Sequence, residues 1–369
     1  MGRAEPFLLA GICAVFVLAY GALPWLASGL CLYSHEGDSY DLLDVLTRME
    51  RGDVPHLDFV TPLGALSFWP ALWFIQAGHS AGSALILAQW SVALCLLPLV
   101  VYAASSRLYF WAALYFGITT RGLVLALSYG TPSSGVGISM HYNRWAWSAS
   151  FVLLLVVLVP SKGVSRPSLD GTLAGVLIAS LLLLKVTYFV TLAPVAAIAL
   201  ARMHGAKGLG YAMAAGAFVA LLVTMQHGLG FWLAYVSDLR LVAGTEIRPY
   251  VGTSFDQIVA GPRYITATLV GITAALVIRS VRNDATGFAV LLMIPAFLYV
   301  SYQNFGNDPQ WLIFLPVLLL ALLPKDGEAH VLGVDARRVG TFASVAAFAV
   351  IFPSLFNIAL SPVKHLSYG

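Results

Sequence analysis

The sequence predicts an all-α polytopic membrane protein, and three observations carry that prediction. Apolar residues make up 59% of the 369, and charged residues only 10%, against roughly 25% in soluble domains. The mean hydropathy is +0.84. Uncharged runs recur at the length that crosses a bilayer as a helix, about 20 residues. A soluble fold of this size needs far more polar residues to cover its surface. A soluble enzyme, a disordered chain and a nucleic-acid binder with a basic face are therefore excluded. Cys13, Cys31 and Cys95 lie in or beside apolar runs, so they give neither a disulfide framework nor a cysteine metal site.

The spans follow in order. Residues 6–34 carry no Asp, Glu, Lys or Arg, longer than the roughly 7–15 residues of a signal-peptide core. They read as a retained first helix, about 7–31. Further uncharged runs give spans near 83–106, 108–128, 145–160, 209–226, 258–278, 286–302, 310–323 and 339–360. Two stretches need a decision. Residues 59–106 hold no formal charge and as one helix would run about 70 Å, so Gly78-His79-Ser80-Ala81-Gly82 breaks them. The piece 62–77 is then short, suited to a helix lying on the outer surface. Residues 171–201 are apolar except for Lys185. One long helix would bury that lysine mid-bilayer at high cost. Two short spans meeting at Lys185-Val186-Thr187 put it at a surface instead.

The positive-inside rule fixes both decisions. With the N-terminus inside, 62–77 on the surface and 171–201 split, the inner side takes 11 of the 20 basic residues against 6 acids. The outer side takes 9 basic residues and 11 acids. About 11 spans result, with a cytoplasmic N-terminus and a periplasmic C-terminus in a bacterial inner membrane. Residues 1–369 form one integral membrane domain with no separate soluble domain. Its first outer loop, 32–82, carries amphipathic surface helices.

Inner loops are short and basic, whereas the outer loops carry the chemistry. The first holds seven acids, Glu36, Asp38, Asp41, Asp44, Glu50, Asp53 and Asp58, against Arg48 and Arg51. Asp41, Asp44 and Arg48 share one face of a short helix. Glu36 and Asp38 stand where the first span leaves the membrane, and a carboxylate there can act as general base or metal ligand. Met140-His141-Tyr142-Asn143-Arg144 opens another span. Arg121 lies in the outer half of the bilayer, where an ionisable residue is a functional candidate or the ion-pair partner of Asp38 or Asp58. Arg263 follows the 227–257 loop, and Gln303, Asn304 and Asp308 lie in an amide-rich outer segment. Acids suit proton transfer, cations suit a phosphate, and amides and aromatics suit sugar hydroxyls. The histidines, among them His35, His56 and His141, lack the spacing of a zinc site. No phosphate-cradling loop or serine nucleophile motif is present.

The order of these features resembles the GT-C superfamily of membrane glycosyltransferases, in its bacterial polyprenyl-phosphate-dependent branch. His35-Glu36-Gly37 after the first span, a helix, then Gly52 and Pro55-His56-Leu57-Asp58-Phe59 and a Pro-rich surface helix match the family's first outer loop. Lys185-Val186-Thr187 resembles its outer lysine between two short spans, and Gln310-Trp311 through Pro316 its late segment. The resemblance covers most of 1–325 through loose motifs. His35 stands where the family has Asp, and Gln310-Trp311 where it has Arg-Tyr. It implies transfer of a sugar from a polyprenyl-phosphate donor to a glycan or lipid acceptor on the outer face, with inversion. Asp38 is then the base, with Glu36 its rival. Asp58, His35, Asp41, His141, Tyr142, Arg144, Lys185, Arg263, Arg121, Gln303, Asn304 and Asp308 bind substrate. No metal ligands are assigned, although the acids are compatible with a divalent cation. Membrane lipid is a partner and nucleic acid is not; the oligomeric state stays open. The alternatives are a transporter or flippase of a lipid-linked or small polar substrate, a non-catalytic GT-C-like protein, and a polysaccharide polymerase or ligase.

Overall fold

The computed structural model describes residues 4–27, 29–30, 36–128, 136–138, 140–244, 254–281, 286–304 and 309–367. Apart from one small hairpin, its regular structure is helical throughout. Seven helices among the described residues are long and apolar enough to cross a membrane. Their outward faces are apolar, with Phe342, Phe348, Phe352 and Phe356 exposed on one helix alone. That is the pattern of a protein whose solvent is lipid.

Helix α1 (Glu5–Ala22) takes Pro6 in its first turn, where a missing N–H leaves no bond unmade. Helix α2 (Glu36–Glu50) is amphipathic: Ser39, Leu42, Val45, Leu46 and Met49 are buried, while Asp38, Asp41 and Asp44 are exposed. After it comes a short turn at Ala65–Ser67 and helix α3 (Trp69–Gln76). At eight residues, α3 is as short as the sequence predicts for 62–77.

Helices α4 (Ala81–Arg107), α5 (Phe110–Leu125) and α6 (His141–Leu158) follow. Every residue of α6 except Tyr142 is buried, which makes it the bundle's central helix. Trp147 and Phe151 of α6 meet Tyr188, Phe297 and Phe314 at ring separations of 5.2–5.7 Å.

Helix α7 (Pro167–Leu184) ends at Lys185, whose backbone is extended, and α8 (Val186–His227) starts at the next residue. Within α8 the backbone of Gly205 is non-helical, at φ 62° and ψ −159°, a region essentially reserved for glycine. There the chain reverses. His204 pairs with Asp170 near the start of α7. Beyond the bend, a Cβ on Gly171 would strike Gly208, and one on Gly175 would strike Ala212. The segment 186–204 therefore runs antiparallel to α7, and 206–227 runs parallel to it. Small residues at these crossings let the backbones approach closely.

Helix α9 (Gly230–Ala243), helix α10 (Phe255–Ala260) and helices α11 (Pro262–Val281) and α12 (Thr286–Gln303) come next. The sequence reading treats 227–257 as loop, whereas α9 occupies much of it. Phe231, Tyr235 and Asp238 form its buried stripe. A turn at Gln310–Ile313 leads into α13 (Leu315–Leu322). Strands β1 (His330–Val331) and β2 (Val334–Asp335) pair antiparallel before α14 (Ala336–Leu366).

Two ends of the bundle emerge. At one, Asp170 accepts from Arg107 at 2.8 Å, pairs with His204 at 2.9 Å and accepts from the Tyr102 hydroxyl at 2.8 Å. The side chains of Asp170, Arg107 and His204 are all buried. Arg107 also donates to the Val159 carbonyl at 2.9 Å, so this cluster ties α4, α6, α7 and α8 together. At the other end lie the Lys185 break, the start of α6 and the end of α12.

Candidate functional site

A helix break inside an apolar bundle leaves carbonyls without their helical donors. The break at Lys185 is met by the first loop. Gly64 N–H donates to the Leu184 carbonyl at 3.1 Å and the Ser67 hydroxyl donates to the same oxygen at 2.9 Å. The Tyr235 hydroxyl donates to the Leu182 carbonyl at 2.8 Å. Gly64 is required here, since a Cβ on it would lie 2.1 Å from the Leu183 carbonyl oxygen.

The ammonium released by this break faces an amide and phenol cluster. Lys185 Nζ donates to the Gln303 carbonyl at 3.1 Å and to Asn304 Oδ1. Asn304 Nδ2 donates to the Tyr188 hydroxyl at 3.1 Å, and that hydroxyl donates to the Asn143 carbonyl at 3.4 Å. The ammonium sits 5.5 Å from the Tyr142 ring centroid, within reach of a cation–π contact. Lys185, Tyr142, Gln303 and Asn304 are thus brought together from α6, the α7–α8 break and the end of α12. Tyr188 joins them unforeseen, although its place one turn after Lys185 was a signal available in the sequence.

His141 lies at the rim. Its Nε2 donates to the Ser67 carbonyl at 2.8 Å, which fixes the tautomer because a carbonyl only accepts. Arg144, buried one turn further, donates to the Ser128 carbonyl at 2.7 Å. Arg121 stands apart from this cluster. Its guanidinium donates to the Gly117 carbonyl at 2.8 Å and the Leu97 carbonyl at 3.0 Å. An ion pair from Arg121 to Asp38 or Asp58, one of the two alternatives the sequence offered, is not seen among the described residues. Backbone carbonyls solvate the cation inside the bundle instead. Arg263 is exposed near the start of α11. His35 and Asp308 lie outside the described residues.

The acids of the first loop divide in two. Glu36 and Asp38 occupy the first turn of α2 and are exposed. Asp41 follows a turn later, its carboxyl held above the usual carboxylate range by desolvation first, then by repulsion from Asp38 and Asp44. Asp58 instead holds its own loop, accepting from Val54 N–H at 2.7 Å. Arg48 pairs with Asp53 at 3.3 Å, donates to the Asp58 carbonyl at 3.3 Å and covers the Phe59 ring at 4.6 Å. It thus turns toward the loop rather than along the face it shares with Asp41 and Asp44. Since α2 rests on α3, and Ala65–Ser67 docks on the Lys185 break, these acids belong to the Lys185 end.

One further feature was not legible in the sequence. His56, at φ 71°, turns its ring inward. Its Nδ1 lies 2.9 Å from Asp238 Oδ2, which also accepts from Thr61 N–H at 3.2 Å. The ring stacks on Tyr235 at 4.3 Å and meets the edge of Phe231 at 5.3 Å. Burial pushes the imidazole below its ordinary value, against the opposing effect of Asp238. The pair fastens the first loop to α9.

Chemically, the Lys185 end offers an ammonium to an anion, amides and phenols to hydroxyls, and carboxylates that can accept a proton. No group of three or more His, Cys, Asp or Glu suited to a metal occurs among the described residues. No protein-family model, curated protein or solved structure matches the chain.

Proposed function

We propose that this chain is a membrane glycosyltransferase of the GT-C type, with the Lys185 end outside and eleven passes. The passes are α1, α4, α5, α6, α7, the two arms of α8, α11, α12, the 310–322 segment and α14. The observation that carries the reading is the ammonium of Lys185, delivered by a helix break to a cluster of amides and phenols at the end that also bears the acidic helix α2.

In this reading the donor's phosphate takes the place of the Gln303 and Asn304 oxygens at Lys185, since a charged acceptor makes the stronger bond. An acceptor hydroxyl attacks the anomeric carbon from the face opposite the phosphate. Its proton passes to Asp38, with Glu36 as the rival base. The bond from the anomeric carbon to the phosphate oxygen breaks, and the lipid phosphate leaves with those electrons, stabilised by Lys185. Gln303, Asn304, Tyr142 and Tyr188 orient the sugar and phosphate. Asp58 and His141 hold the loop that shapes the site.

Asp38→Asn, Glu36→Gln and Lys185→Met, assayed in membranes with a labelled polyprenyl-phosphate sugar, test the reading. Loss of the base lowers transfer by about 10²–10⁴-fold. Wild-type transfer in both carboxylate variants refutes the assignment of the base. Movement of the lipid-linked sugar across vesicles without a covalent product places the chain among flippases instead.

A further inference from the structure

At the opposite end of the bundle, the β1–β2 hairpin bends over the last turn of α11. Between them lies a pocket of about 280 Å³, lined by Leu276, Arg279 and Ser280 of α11 and by His330, Val331 and Leu332 of the hairpin. Among the described residues the lining presents one guanidinium, one imidazole, one hydroxyl (which donates to the Val277 carbonyl at 2.8 Å) and no carboxylate, while Asp335 pairs across the strands with His330. Its apolar side continues up α11, where Ile265, Leu269, Ile272 and Leu276 are exposed at spacings of four, three and four residues. They form one ridge along the membrane-facing side of a helix long enough to cross the bilayer.

The hairpin tip carries a second, independent signal. Its two central residues, Leu332 and Gly333, have φ of 49° and 79°. A two-residue turn that fits strand twist needs both positive, and the usual occupants are Asn and Gly. A leucine there is sterically disfavoured, and this one is 95% exposed. Val334 beside it is also exposed. Water rewards neither choice, whereas lipid rewards both. The hairpin is held in place from behind. Asp335 accepts from Gly327 N–H at 2.6 Å and from the N–H groups of Arg337 and Arg338 at 2.9 and 3.1 Å. The Arg279 stem lies against Gly287 of α12.

We infer that this pocket binds the headgroup of an anionic phospholipid in the leaflet at the Asp170 end. Arg279 and His330 hold the phosphate, Ser280 lies beside the glycerol, an acyl chain follows the α11 ridge, and Leu332 anchors the hairpin in the bilayer interface. The arrangement combines charge recognition with an apolar track, so it fits a lipid and not a free anion. It depends on α11 crossing the membrane and is independent of any chemistry at the Lys185 end.

The test uses the purified full-length protein in a zwitterionic detergent. Lipid adducts are read by native mass spectrometry, and unfolding temperature by thermal shift. Phosphatidylglycerol, phosphatidylcholine and inorganic phosphate are titrated in separate arms. Phosphatidylglycerol is expected to bind at least tenfold more tightly than phosphatidylcholine and to raise the unfolding temperature. Arg279→Gln with His330→Gln is expected to lower that affinity tenfold or more. Leu332→Asn removes no polar contact and suits the backbone better, so the lipid-free protein stays folded while lipid retention falls. Equal binding of the two lipids, unchanged phosphatidylglycerol binding in both variants, or full stabilisation by inorganic phosphate overturns the proposal. If the double variant does not fold, the leucine variant decides alone.

Discussion

Replacing Gly64 with alanine strikes the joint between the first loop and the Lys185 break. The new Cβ would stand 2.1 Å from the Leu183 carbonyl oxygen and 2.8 Å from Leu183 Cα. An ordinary C···O contact is about 3.4 Å, so the loop must withdraw by about 1.3 Å. Backbone opposes the methyl here, and backbone cannot swing aside. A retreat of that size takes both bonds on the Leu184 carbonyl, now 3.1 and 2.9 Å, beyond hydrogen-bond range. Each contributes about 1 kcal/mol, and overfilling a tight site costs about 1–3 kcal/mol. The expected loss is about 3–5 kcal/mol. Leu184 directly precedes Lys185, so the ammonium moves as well, and misplacement by about 1 Å can lower turnover about 10²-fold. Thermal unfolding in detergent at a fixed scan rate reads the first effect, and the proposed transfer from a polyprenyl-phosphate sugar reads the second. Gly11→Ala is the control: a Cβ there meets nothing within 4 Å, and alanine favours a helix by up to about 1 kcal/mol. A Gly64→Ala protein that unfolds at the wild-type temperature refutes the close approach on which this reasoning rests.

Three further outcomes are expected. Asp170→Leu leaves Arg107 buried without its carboxylate and lowers stability by about 3–5 kcal/mol; pairing it with Arg107→Met recovers part of the loss, as a thermal-shift cycle will read. Burial lowers the folded-state value of His56, so its contribution is present above about pH 6.5 and is lost as the pH falls toward the folded value. His56→Gln should therefore lose less stability than the wild type on acidification from pH 7.5 to 5.5, and parallel curves count against it. Asp41 has the opposite sense: its raised carboxyl destabilises the fold once ionised, as pH rises through the folded value. Asp41→Asn is expected to unfold at a higher temperature at pH 7, an advantage that vanishes below about pH 4, and no gain at pH 7 contradicts the desolvation of Asp41 and its repulsion from Asp38 and Asp44.

Much of the helical layout was legible because the bilayer imposes a length on apolar runs, and that length is a property of adjacent residues. Lys185 marked a break for the same local reason, since a lysine cannot stay at the middle of an apolar span without cost. The short helix in 62–77 followed from a charge count. The loop 227–257 was misread because α9 buries only a narrow stripe, Phe231, Tyr235 and Asp238, among residues that look apolar all round. The partners of Arg121 were not legible because a buried guanidinium can be satisfied by carbonyls, which every residue carries and no sequence pattern marks.

By itself the sequence determined a lipid-soluble helical chain, the places where it turns, and the surplus of acid in one loop. Those depend on hydrophobicity and charge along a short window of chain. Only the tertiary structure decided the pairings: Lys185 with Gln303, 118 residues on, His56 with Asp238, 182 residues on, and Asp170 with Arg107 and His204. It also set the placing of the hairpin beside α11. Inside a membrane bundle a polar side chain must find its partner among whatever the helix crossings bring near. Those crossings are set by small residues and shape across the whole molecule, not by neighbours in the chain.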